Sequence, residues 1–217
     1  MIKLIIISLF SMFALQNPEV PMVQSDPKAK VILDKTSATF KQLKNLKADL
    51  EISIESPDQS PFLQKAVVYI EGQNFRLELP DEVIICDNKS IWRYLKDMNE
   101  VQISDYEPGD DEITPTNIFN IYENDFYYQY AEEVTENGKK YHAVDLTPFD
   151  KEKSYFKVRV WVSAADNFIH KMKVFDKNGT RYTYSIANLS KDTILKTTTF
   201  QFNKADYPNI HIEDLRF

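Results

Sequence analysis

The sequence predicts a mainly β fold built from antiparallel strands, and three observations carry that prediction. From Ala48 onward, short runs repeat apolar and polar residues at a period of two, the pattern of half-buried strands. Two Asn-Gly pairs, Asn137-Gly138 and Asn178-Gly179, each join two such runs, and Asn-Gly between alternating runs is the strongest short hairpin signal. The chain holds only 4 Gly in 217 residues and no Gly-rich phosphate loop, so a nucleotide-binding α/β fold is disfavoured.

Residues 1–15 read Met-Ile-Lys followed by an apolar run from Leu4 to Leu15. One positive charge and a short apolar run make the core of a secretory signal. The run is too short to cross a bilayer, which takes ~20 residues. The competing reading is a buried N-terminal strand. The expectation is a signal peptide over 1–16 and a single domain over 17–217. Cys86 is the only cysteine. No lipid-accepting Cys follows the signal, and one Cys makes no internal disulfide. Export without disulfides suits the periplasm.

Asp26-Pro27 reads as a helix start, with Asp as the cap and Pro in the first turn. Ala29, Ile32, Leu33, Thr36, Phe40, Leu43 and Leu46 then recur at spacings of three and four, predicting an amphipathic helix from Pro27 to about Leu46. Lys28, Lys30, Lys35, Lys41 and Lys44 make its other face basic. Next, Ala48, Leu50, Ile52 and Ile54 alternate with Asp49, Glu51, Ser53 and Glu55. The loop from Ser56 to Pro61 ends that strand.

A meander follows, from Val67 to Ile103. Val68 and Ile70 share a face, as do Phe75, Leu77 and Leu79, then Trp92 and Tyr94, then Val101 and Ile103. Turn-forming segments separate them: 71–74, 87–90 and 96–99. Cys86, next to Val83, Ile84 and Ile85, reads as a small buried apolar residue.

Tyr106 to Pro115 breaks the β pattern. Its three successive acids lack the spacing of a calcium loop and read as solvated. Thr114-Pro115 then starts a second helical stretch, which carries Ile118, Phe119, Ile121, Tyr122 and Phe126. A helix this apolar either covers a finished sheet or closes over a cavity. Strands return over Tyr128–Val134, Tyr141–Leu146, Phe156–Val162, Phe168–Phe175, Tyr182–Ile186, Thr197–Phe202 and Ile210–Leu215.

Several chemistries lack their signatures. The net charge of −7 disfavours nucleic acid. His142, His170 and His211 fall in separate strands without ligand spacing, and there is no H-E-x-x-H or G-x-S-x-G. No catalytic residue, metal or cofactor is selected, and the expectation is a protein that is not an enzyme.

One set of residues carries a resemblance. Phe75-Arg76-Leu77 is followed by Asp87-x-Lys89-x-Ile91-Trp92-x-Tyr94, then Val101-Gln102-Ile103, a Pro-started insertion at Pro115, Phe200-x-Phe202 and Asp214-Leu215-Arg216. This order and spacing is similar to the LolA family, the periplasmic carriers that take lipoproteins to the outer membrane. The resemblance implies an incomplete (half) antiparallel β-barrel of about 11 strands, with helices closing over an apolar cavity as a lid. It favours the lid reading of Ile118 to Phe126.

For such a cavity and lid, strand parity and helical spacing offer as the expected lipid-binding set Phe40, Leu50, Ile52, Ile54, Val68, Ile70, Phe75, Leu77, Leu79, Trp92, Tyr94, Ile118, Phe119, Tyr122 and Phe126. The implied partners are acylated lipoproteins, an inner-membrane lipoprotein-release transporter and an outer-membrane acceptor, and the implied state is a monomer. The alternative is a lipid or lipoprotein sensor or scaffold on the same fold. One position departs from the family pattern. Some members hold the lid with an arginine where this chain has Glu71, followed by Gly72. A second departure is Asp87-Asn88 in place of an Asp-Gly turn.

Overall fold

The computed structural model describes residues 25–107, 113–123 and 126–216. The signal segment expected over 1–16 and most of the acidic loop before Ile113 lie outside them.

The chain opens with one α-helix, α1, over Pro27–Lys41. The Asp26 carboxylate caps it by accepting from the Lys28 N–H at 2.7 Å, which satisfies a donor that a helix start leaves open. The helix is shorter than its periodicity suggested. Leu46 belongs to the first strand, opposite Ile70 and Lys191. The Asp192 carboxylate takes the Lys44 N–H at 2.7 Å in the linking turn. Tertiary pairing here overrides local propensity.

Twelve strands form one sheet in the order β12-β6-β5-β4-β3-β2-β1-β11-β10-β9-β8-β7. The first meander comprises β1 Leu46–Glu55, β2 Phe62–Glu71, β3 Asn74–Glu78, β4 Glu82–Cys86, β5 Ser90–Leu95 and β6 Glu100–Asp105. The second comprises β7 Phe126–Glu136, β8 Lys139–Pro148, β9 Tyr155–Ser163, β10 Ile169–Asp176 and β11 Arg181–Lys191. The antiparallel β1–β11 ladder joins the two meanders edge to edge. Strand β12, His211–Asp214, lies parallel to β6. The sheet is open, with β12 and β7 as its edges, so it is mainly β and partly barrel-like without closure. Asn137-Gly138 and Asn178-Gly179 form turns, as their sequence predicted. Asn137 adopts φ 51° and Gly138 φ 75°, the positive φ pair that a tight hairpin needs.

Two predicted elements differ. The stretch after Thr114 is not an α-helix. It is a run of turns over 115–120 ending in a 3-10 turn at Ile121–Glu123, and Phe126 already begins β7. Thr114 and Asn117 open the run as a helix cap would. The Asn117 side chain accepts from the Thr114 N–H at 2.8 Å, and the Thr114 hydroxyl accepts from the Asn117 N–H at 3.1 Å. That reciprocal pair is a helix-start pattern. Two i→i−4 bonds follow, Ile118 N–H to Thr114 C=O at 3.3 Å and Ile121 N–H to Asn117 C=O at 2.8 Å. The i→i−3 bonds from Asn120 to Asn117 and from Glu123 to Asn120, both 3.0 Å, then tighten the run into 3-10 turns. Thr197–Phe202 is likewise a pair of turns, with Thr199 N–H to Lys196 C=O at 3.0 Å and Gln201 N–H to Thr198 C=O at 3.1 Å.

Both faces of the sheet carry apolar residues. In an antiparallel ladder, directly paired residues share a face. Ile70, Phe75, Cys86 and Ile91 are paired in series, as are Val158, Val174 and Tyr182. That inner face packs against Ala29 and Leu33 of α1 and against Phe119 and Tyr122. On the outer face, Trp92 and Tyr94 pair with Ile103 and Val101. There they pack under Phe202, Tyr207 and Ile210 as a second, smaller cluster. Among the described residues, no helix is long and apolar enough to cross a membrane.

Candidate functional site: an apolar cavity under a short cover

The inner face is not filled. A cavity of about 240 Å³ lies between it and the segment 113–119. Strand parity builds the wall. Leu46, Ala48, Leu50 and Ile52 come from β1, Val68 and Ile70 from β2, and Leu77 from β3. Met172, Val174, Tyr184 and Ile186 supply the other side from β10 and β11, with Phe168 and Ile169 below. Ile113, Pro115, Ile118 and Phe119 form the cover. The wall is aliphatic and aromatic, with His170 and Lys171 at one margin. Such a surface gains by taking hydrocarbon out of water and offers almost nothing to a polar ligand.

The cover is fastened to α1. Phe119 stacks on Phe40 with ring centroids 4.1 Å apart and tilts against Phe168 at 4.8 Å. The Tyr122 hydroxyl donates to the Asp34 carboxylate at 2.9 Å. Ser37 donates to Glu123 at 3.1 Å, and Lys41 pairs with the same carboxylate at 3.1 Å. Burial, then the Asp34 charge, push the Tyr122 phenol well above its usual range. The Lys30 ammonium, with help from Tyr122, holds the Asp34 carboxyl below its usual range against the effect of burial. The fastening is therefore a neutral phenol donating to a carboxylate, a charge-assisted bond. Glu71, where the family arginine would stand, is exposed in the β2–β3 turn.

The expected lipid-binding residues divide into several groups. Leu50, Ile52, Val68, Ile70, Leu77, Ile118 and Phe119 line the cavity. Phe40, Phe75, Tyr122 and Phe126 sit in the packed core around it. Ile54 lies at the far end of β1 opposite Phe62 and Tyr182, and Leu79 in the β3–β4 turn. Trp92 and Tyr94 are on the outer face. Sequence reasoning left out Ala48, Phe168, Met172, Val174, Tyr184 and Ile186. The alternation of β10 and β11 was visible, yet nothing in a single strand says which meander it will face. Of the basic helix face, Lys30 pairs with Asp34 at 2.8 Å and Lys41 with Glu123. The Lys28 ammonium sits 3.3 Å from the Tyr130 ring centroid. Among the described residues, no three His, Cys, Asp or Glu side chains gather as a metal site.

A family model described as outer membrane lipoprotein carrier protein LolA matches residues 71–203, well over half of the chain. The chain belongs to the LolA family. Its fold is similar to that of an uncharacterized conserved protein from Thermus thermophilus, at 14% identity and a TM-score of 0.59, covering 88% of this chain and 99% of that one. Weaker likenesses include a LolA superfamily protein from Nitrosomonas europaea, with TM-score 0.44, 14% identity, 80% of this chain and 97% of that one. LprF from Mycobacterium bovis is another, with TM-score 0.48, 13% identity, 80% and 97%. No protein of curated function matches in sequence. The LolA assignment agrees with the resemblance read from the motifs above. The family match begins at Glu71, so it takes in β3 to β11 and the cover but not α1, β1 or most of β2.

Proposed function

We propose that this LolA-family chain is a periplasmic carrier that shields the acyl chains of lipoproteins and hands them from the inner to the outer membrane. The observation that supports this most is the apolar cavity closed by a cover that side-chain bonds hold to α1. Each acyl CH₂ removed from water is worth ~0.8 kcal/mol, so a lipoprotein needs such a shelter to cross an aqueous space. A bilayer offers nearly the same gain, so loading and release run close to balance without any chemistry in the carrier. A release transporter would load the protein, and an acceptor at the outer membrane would unload it. The cavity as folded measures about 240 Å³. On this reading the cover lifts as acyl chains enter.

The test is direct. A synthetic diacyl-cysteine hexapeptide with a C-terminal fluorophore should bind with saturation, and the protein taken from its own periplasm should carry acylated polypeptide. Co-purified phospholipid in place of acylated polypeptide would favour a lipid sensor. An absence of any lipopeptide binding would remove the carrier reading.

A further inference from the structure

The sheet has a seam. Strands β10 and β11 pair from Lys171↔Ser185 to Phe175↔Arg181 and no further. Beyond that point β10 carries an extra residue, His170, against β9, where Ile169 faces Val162 and Lys171 faces Trp161. Strand β11 carries an extra residue, Ala187, against β1, where Asp49 faces Asn188 and Leu50 faces Ile186. Two bulges beside one another bend their strands apart. From Ile186 to Lys191, β11 keeps β1 on one side and has no ladder partner on the other among the described residues.

Outside the seam lies a cleft of about 680 Å³. His170, Lys171 and Ile186 line both this cleft and the apolar cavity, so the seam is the wall the two spaces share. The cleft differs in kind from the cavity. Lys139, Lys171 and Lys191 stand there with Glu51, Glu136 and Asp166. Lys171 pairs with Glu136 at 2.5 Å, and Asp166 takes both Lys191 at 3.2 Å and His170 at 3.3 Å. The Asp166–Lys191 pair spans the seam from the β9–β10 turn to β11. Formal charge cancels, so the cleft has no net attraction for an anionic headgroup. It offers alternating charges beside a free strand flank, which is what an extended peptide needs for backbone pairing and side-chain contacts.

We propose that the seam is where the peptide part of an acylated polypeptide leaves the cavity, lying as an added strand along Ile186–Lys191 while its acyl chain stays inside. This rests on the carrier reading above, and it places the cargo's polar portion on a side of the sheet that the cover does not reach. Peptide pairing also gives the protein a way to tell an acylated polypeptide from a free fatty acid, because both fill the cavity and only one fills the flank.

Photo-cross-linking tests the proposal. Benzoylphenylalanine is placed at Ala187, which is exposed, and in a second variant at Phe62, the first residue of β2, which is 58% exposed. The probe is the diacyl-cysteine hexapeptide, with a fatty acid of equal chain length for comparison. The expected result is adducts on the peptide residues from position 187 and none from 62. Amide exchange across 186–191 should also slow at least tenfold with the lipopeptide and stay unchanged with the fatty acid. Peptide adducts at 62 and none at 187, with capture intact, would overturn the seam and leave the carrier standing. Equal slowing by the fatty acid would overturn it as well. Failure to capture the lipopeptide at all would overturn both.

Discussion

The sheet covers its two apolar faces in different ways. On the outer face, Phe202, Tyr207 and Ile210 close on Trp92, Tyr94, Val101 and Ile103; Val101 is fully buried, and Tyr94 and Tyr207 rings meet at 4.6 Å. On the inner face, a comparable cover of turns, with Ile113, Ile118 and Phe119, leaves a cavity of about 240 Å³ beneath it. Interiors normally close-pack, and unfilled apolar volume costs stability. One chain thus builds a tight cover and a loose one on the same sheet. The lesson is that greasiness alone does not mark the site; the misfit between cover and wall does.

Four changes probe that difference. The largest effect is expected from Phe119→Asp, which puts a carboxylate against hydrocarbon at a cost of several kcal/mol. It should cut lipopeptide capture by at least ~100-fold, or about 2.7 kcal/mol, while the far-ultraviolet dichroism of the sheet persists. A mutant that captures normally would mean that the cavity does not bind acyl chains. Ile210→Ala should do the opposite. Ile210 is only 7% exposed, and buried Ile→Ala costs ~2–5 kcal/mol. Denaturant titration should show that loss with capture unchanged. A matching loss of capture would show that the two covers are coupled.

A smaller effect is expected from Tyr122→Phe. It removes one hydrogen bond, worth roughly 0.5–1.5 kcal/mol, and leaves the ring in place. Amide exchange should quicken over 113–123 and remain the same over 200–212. Uniform quickening would make Tyr122 part of the general core instead of a fastening.

The smallest effect concerns pH. Asp34 is depressed in the folded state, so its contribution is present above its ordinary value of 3.8 and is lost as pH falls through the lowered one. Tyr122 is raised, so its contribution is full below 10.0 and fades as pH climbs beyond that. Retention of bound lipopeptide should therefore be flat between about pH 5 and 9 and decline at either extreme. Tyr122→Phe should remove the alkaline decline. A decline near neutrality would point to another group.

Much of the sheet was legible because its signals are local. The alternation in Leu50, Ile52 and Ile54, or in Val158, Val160 and Val162, reports one strand at a time, and Asn-Gly fixes its own turn. The cavity was legible only in part because it depends on which strands meet. Trp92 and Tyr94 share a parity with each other, and parity alone does not say whether that face turns to α1 or to Tyr207. Phe119 was placed on the cover from its apolar neighbours, although the helix that Thr114 and Asn117 begin tightens into turns at Asn120 and Glu123. The bulges left a trace. Ile169 is followed by Met172 and Val174, an alternation that slips by one residue at His170, and such a slip is the sequence mark of a bulge.

The β1–β11 ladder also sets an order of events during folding. Each meander is made of neighbouring hairpins, whose contacts are close in sequence and form quickly. The ladder between them joins residues 46–55 to 181–191, and a loop that long carries a large closure entropy. It should form late, as the slow phase of refolding. Because β1 and β2 give one side of the cavity and β10 and β11 the other, neither half encloses hydrocarbon alone. A chain still on its way to the native state has no pocket to fill, and ligand capture should lag behind strand formation by the time this one ladder takes to zip.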